Sequence, residues 1–160
     1  EATLVRAHLA RRNPVVDLAP VDALLIVPVS DAYVSPGWYP SKAEHGKVVP
    51  TWNYEVVHLH GRLVGHDAEW TLQLVRDLTD HHESTMPSPW SVDDAPDDYV
   101  EGLLTAIVGV SLEVSRVEAK RKLSQNKPTE DIDGAISGLR SRDERGGGVV
   151  ADAMFRHRPT

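Results

Sequence analysis

Residues 33–54 hold the densest collection of side chains able to do chemistry. Tyr33, Trp38, Tyr39, Trp52 and Tyr54 are interleaved with Ser41, Lys42, Lys47, Thr51 and Asn53, and Pro36, Gly37, Pro40, Gly46 and Pro50 break the segment up. An exposed Trp or Tyr needs one partner for its ring and another for its polar tip. Rings beside ammonium and hydroxyl groups suit a ligand with a planar part and an anionic part. The rings stack on the plane, while Lys42, Lys47, Ser41 and Thr51 bind the anion. A flavin mononucleotide fits that description. A subunit interface fits it equally well, because Tyr and Trp are enriched there too.

The histidines offer less. His58 and His60 are two residues apart, so on a strand they share a face. No third ligand stands at a spacing that would complete a metal site, and cross-strand packing is the simpler reading. His81 and His82 close a helical stretch, where the dipole favours a protonated imidazole. His8 lies apart from these, five residues before Asn13-Pro14.

These residues need elements to hold them. Residues 3–10 alternate as a strand, and Asn13-Pro14 is a helix-start pair. Leu24–Val29 reads as a buried strand, with Pro28 at an edge or bulge. Residues 31–49 read as a long irregular loop, and 56–64 as a strand. Asp67 is placed to cap a helix to about Glu83, with Trp70, Leu74 and Leu78 on one stripe. Pro96 opens a second helix through Tyr99, Leu103, Leu104 and Ile107. A further strand follows, with Val108, Val110, Leu112 and Val114 facing one way and Ser111, Glu113 and Ser115 facing solvent. Residues 116–127 carry Arg116, Lys120, Arg121, Lys122 and Lys127 against one acid, Glu118. A helix is expected from about Glu130 to Arg140. Gly146–Gly148 reads as a flexible break, and the last dozen residues as a short helix or a frayed tail. Strands separated by helical insertions without regular alternation indicate an α+β barrel-like domain.

Composition narrows the chemistry. The chain has 160 residues, 17 basic and 24 acidic, a formal net charge of −7, and no cysteine. Disulfides, thiolate metal sites and cysteine nucleophiles are excluded. An acidic balance argues against nonspecific nucleic-acid binding, which needs clustered Lys and Arg. No apolar run approaches the roughly 20 residues of a membrane-spanning helix. The lack of a targeting pattern and of cysteine leads us to expect a cytoplasmic, bacterial protein.

The segment Ala32–Tyr54, AYVSPGWYPSKAEHGKVVPTWNY, resembles the hallmark segment of the PaiB family, FMN-binding negative transcriptional regulators. Three further stretches resemble family elements in the same order: His8–Pro14 (HLARRNP), Pro89–Pro96 (PWSVDDAP) and Lys122–Asn126 (KLSQN). The resemblance runs from residue 4 to about 140. It implies an FMN-binding split β-barrel of the pyridoxamine-phosphate-oxidase-like type with peripheral helices, working as a homodimer with flavin at or near the subunit interface. It also implies that the family's N-terminal part, an initial helix and the first barrel strands, is missing here, taking some cofactor contacts with it. The barrel domain is then expected over 1–143, and a Gly-rich break and tail over 144–160. Relatives often carry a tryptophan where this chain has Arg121.

On that resemblance, Lys42, Lys47 and Lys122 are the candidates for the FMN phosphate, with Ser41, Ser124 and Thr51 as hydroxyl donors. Trp38, Tyr39, Trp52 and Tyr54 are candidates for lining the isoalloxazine ring, and Asn53 and Gln125 for its polar edge. No catalytic residue is assigned. The expected output is repression of transcription, flavin-dependent oxidoreductase chemistry, or both. DNA is a partner that the charge balance does not support. The alternative is a haem enzyme of the same fold, similar to piperazate-forming relatives, with His8 as axial ligand.

Overall fold

Loose alternation in Leu4–Ala10 gives the first strand, β1, and Asn13 starts the short helix α1 (Val15–Leu18) by accepting the Val15 amide on its side chain. The computed structural model describes residues 3–142 and 146–159. Along the chain follow β2 (Val21–Val34), α2 (Ser41–His45), β3 (Thr51–Gly65), α3 (Ala68–Glu83), α4 (Asp97–Leu104), β4 (Ile107–Lys122), α5 (Thr129–Ser141) and α6 (Gly147–Arg156). One sheet joins the strands in the order β1-β4-β3-β2. β1 pairs antiparallel with β4, Leu4 opposite Glu113 and Ala10 opposite Ile107. β3 is antiparallel to both its neighbours. His60 meets Ser115 while Thr51 meets Lys122 on β4, and Arg62 meets Asp22 while Glu55 meets Ser30 on β2.

The chain divides into two compact units, one made of Glu1–Leu25 with Leu59–Arg116, the other of Ile26–His58 with Val117–Thr160. In the first, Asp67 caps α3 as expected, accepting the Trp70 amide at 2.9 Å. Leu74 and Thr71 are buried on α3, and Val108, Val110 and Leu112 on β4. The expectation of a solvated face fails for the first half of β4, where Ser111 is buried too. Its hydroxyl is 2.8 Å from His66 Nε2, and the Thr71 hydroxyl accepts the Gly109 amide at 2.9 Å, so polar groups enter the core with partners. α4 stops at Leu104 rather than carrying on to Ile107. Arg11 fixes that turn by donating from Nε to the Thr105 carbonyl and from Nη2 to the Ile107 carbonyl.

In the second unit, α5 and α6 bury Ile132, Ala135, Ile136, Leu139, Val150, Ala151, Ala153 and Met154 with Val34 and Leu123. Of the two readings of the C-terminal stretch, a helix is what forms. Gly147 and Gly148 belong to it, and Gly146, at φ 92°, precedes it. Residues 31–49 are less irregular than expected. β2 runs to Val34, Pro36–Trp38 make a 3-10 turn, and α2 follows. β4 extends through the basic stretch to Lys122, because alternating Val117, Ala119 and Arg121 continue the strand period.

Leu24, Leu25, Ile26, Val27 and Val29 were expected to be buried, yet they are 37–57% exposed. β2 is the last strand of the sheet, so it has a partner on one side only.

Candidate functional site

All the residues proposed for flavin belong to the second unit, but they divide into an internal set and a surface set. The internal set begins with Trp38. On α5, Gly134 and Gly138 are four apart and so share a helix face. A Cβ at Gly138 would be 2.2 Å from the Trp38 ring, and one at Gly134 would be 2.2 Å from the Trp38 carbonyl oxygen. Two glycines thus cut the groove in which Trp38 lies, and Arg142 covers its ring at 6.0 Å.

Tyr39, next along, is buried, and its hydroxyl meets no partner of hydrogen-bonding geometry. Burial pushes the phenol above its ordinary value, the nearby Ser124 hydroxyl draws it partly back, and the Asp131 carboxylate raises it further. Asp131 is itself buried, and it accepts both the Ser41 amide at 3.1 Å and the Ser41 hydroxyl at 2.7 Å. Asn53 is fully buried. It donates to the Met154 sulfur at 3.3 Å and accepts the Ser124 hydroxyl at 3.1 Å. Ser124 holds a left-handed backbone, φ 62°, that few residues other than glycine adopt. Gln125 is exposed and closes the same turn from outside, accepting the Leu123 amide at 2.8 Å and donating to the Arg121 carbonyl at 3.2 Å.

The surface set is Thr51, Trp52, Tyr54, Lys122, Lys42 and Lys47. Trp52 is 54% exposed and meets Tyr33 edge-on at 6.1 Å between ring centres. Both rings line a cleft of 350 Å³ that also takes in Ser30, Asp31 and Val149. Lys122 is joined by its ammonium to the Trp52 carbonyl and to the Thr51 hydroxyl. The structure therefore sets two rings on one cleft and holds the Lys122 ammonium on the backbone of one of them, while the Ser30 hydroxyl is buried against Glu55. Lys120 lies over the Tyr54 ring at 5.9 Å. Lys42 and Lys47 are exposed on and just after α2, with no side-chain hydrogen bond or ion pair among the described residues.

Sequence reasoning counted Tyr33 among the rings of this segment without giving it a flavin role, and did not single out Ser30 or Glu55. Glu55 accepts both the Ser30 hydroxyl at 3.3 Å and Arg121 Nε at 2.9 Å, so it ties β2 to β4 through β3. The available signal was strand period, since Thr51, Asn53 and Glu55 alternate with Trp52 and Tyr54.

His8 belongs to the first unit. It is exposed on β1 and lines a cavity of 460 Å³ with His82, Trp90, Val75 and Leu78. His58 and His60 are not part of a metal cluster, since no group of three ligating side chains occurs among the described residues. No helix among them is long and apolar enough to cross a membrane.

Comparison with known proteins bears on these surfaces. The family model described as "Putative FMN-binding domain" matches residues 1–116. An uncharacterized protein of Aspergillus fumigatus is 38% identical over 123 residues, covering 67% of this chain and 47% of its own. One from Emericella nidulans is 31% identical over 181 residues, covering 94% and 72%. Protease synthase and sporulation protein PAI 2 of Bacillus subtilis is 27% identical over 133 residues, covering 83% and 62%, in keeping with the PaiB resemblance. The chain thus spans about half the length of the A. fumigatus relative. Among solved structures, the flavocytochrome Anf3 from Azotobacter vinelandii superposes with a TM-score of 0.50 at 17% identity, covering 83% of this chain and 57% of that one. That likeness is one of fold.

Proposed function

The chain belongs to the FMN-binding domain family, and from that premise we propose that Trp52 and Tyr33 line the flavin ring while Lys122 and Thr51 serve the phosphate. The observation that carries this reading is Trp52. A large ring left 54% exposed, on a strand whose neighbour Asn53 is fully buried, is costly unless something covers it. The donor set suits FMN. An ammonium has three donors, and Lys122 commits two of them, to Thr51 and Trp52, which leaves a third for a ligand. Lys42 and Lys47 add unpaired positive charge nearby in sequence. FMN, when bound, supplies the electron chemistry, and the chain supplies orientation and charge. Within the chain, Asn53, Ser124 and Gln125 set the strand ends from which Trp52 and Lys122 project. Tyr39, Trp38 and Ser41 do the same for α2 and its lysines.

The test is flavin titration of the whole chain, followed by visible absorption after gel filtration. Retained flavin bands that are lost on Trp52→Ala and Lys122→Ala are expected. Retention unaffected by either variant would move the cofactor elsewhere.

For the output, flavin-dependent oxidoreductase chemistry is favoured over direct repression. The basic stretch offers little to DNA, since Arg121 is paired with Glu55 and Lys122 with Thr51. Turnover with a nicotinamide donor supports the redox reading, and a salt-sensitive promoter complex would reverse the order. The exposed apolar run Leu24–Val29 is the surface we assign to pairing of two copies, which light scattering reads as a dimeric mass that Ile26→Lys abolishes.

A second reading rests on the cavity beside His8. Two imidazoles, His8 and His82, stand over apolar Val75 and Leu78, a combination that suits haem. A Soret band on hemin addition that His8→Ala removes would establish it.

A further inference from the structure

The sheet of the first unit has two unlike faces. One presents Val5, Leu9, Leu63, Val110 and Leu112. The other presents Asp22 of β2, His60 and Arg62 of β3, and Glu113 and Ser115 of β4, around a cavity of 730 Å³. The two-residue spacing on β3 and β4 puts each pair on one side.

The charges on this face are arranged unusually. Arg62 and Glu113 line the same cavity from neighbouring strands, where opposite charges ordinarily pair. Arg62 instead turns away and donates to Asp22 at 3.1 Å. The Asp22 side chain is 90% exposed, so that pair is weak and open to exchange. Glu113 makes no ion pair among the described residues. Between them lies Gly61, where a Cβ would fall 2.2 Å from the Glu113 carbonyl oxygen. A glycine here lets the two backbones close up. Arg116 Nη2 is 3.1 and 3.0 Å from the two ring nitrogens of His60, a near-equidistance that sets the guanidinium over the imidazole.

We propose that this face binds a small zwitterion, an aminocarboxylate. Its carboxylate takes Arg62 in exchange for Asp22, and its ammonium meets Glu113, with Ser115 as a hydroxyl partner. Cation and anion line one cavity from adjacent strands, so a ligand that carries both charges fits better than one with a single charge. The site shares no residue with the flavin reading and stands or falls without it.

The experiment uses the whole chain, isotope-labelled, with 4-aminobutyrate as probe and butyrate and butylamine as single-charge controls. Saturable amide shifts at Gly61, Arg62 and Ser115 are expected from 4-aminobutyrate, with either control roughly tenfold weaker. Arg62→Gln and Glu113→Gln should each weaken the probe roughly tenfold and leave flavin retention unchanged. No saturable shift up to about 50 mM, equal shifts from butyrate alone, or indifference to Glu113→Gln would each overturn the proposal.

Discussion

The candidate sites of the two units treat their polar residues in opposite ways. In the second, Ser41, Asn53, Ser124 and Asp131 turn inward and satisfy one another, and two α5 glycines give up their side chains to seat Trp38. In the first, Asp22, Arg62, Glu113 and Ser115 remain on an open sheet face. A polar group buried with partners fixes geometry, whereas an exposed one stays free to change partners. The second unit is therefore suited to hold a cofactor surface rigid, and the first to exchange small polar ligands.

The sharpest way to break that contrast is at the Trp38 groove. Gly138→Ala puts a Cβ into the indole, and a loss of about 3 kcal/mol in urea unfolding is expected. Tolerance of it would show that the groove is not rigid. Asn53→Leu strands the Ser124 hydroxyl in the core and should cost about 2 kcal/mol in the same measurement. Lys122→Ala separates binding from stability. Flavin affinity should fall roughly tenfold, or about 1.4 kcal/mol, with the unfolding midpoint nearly unmoved.

Tyr39→Phe tests the one buried hydroxyl that lacks a partner among the described residues of this unit. A gain of about 1 kcal/mol is expected at neutral pH, because an unpaired polar atom leaves the core. Burial raises the phenol in the folded state. The buried phenol therefore costs no extra stability through ionisation below the ordinary phenol range, and stability falls as pH rises from there through the folded value. The variant should resist alkaline unfolding better than the parent. The smallest effect is expected at the surface. Arg140→Ala breaks an exposed pair with Asp152 and should cost less than about 1 kcal/mol.

Much of the fold was legible beforehand. The Asp67 cap, the stripe of α3 and the start of α5 follow from local rules, since capping and helical period act within a few residues. Strand ends were harder. β3 and β4 each begin or end well outside the expected ranges, because the length of a strand depends on its neighbours and not on its own period. Burial of Leu24–Val29 was misjudged for the same reason, as an apolar run looks alike at the centre of a sheet and at its edge.

The candidate site divides along the same line. By residue type and spacing alone, the sequence determined that rings and lysines gather in residues 33–54, that cysteine chemistry is excluded, and that the chain resembles FMN-binding proteins. Only the tertiary structure decided which of those side chains face outward. Asn53 and Trp52 are adjacent and equally suited to a flavin on composition, yet strand alternation buries the first against Met154 and Ser124 and exposes the second beside Lys122. The partner that settles each orientation is some 70 to 100 residues away along the chain, and no local pattern reaches that far.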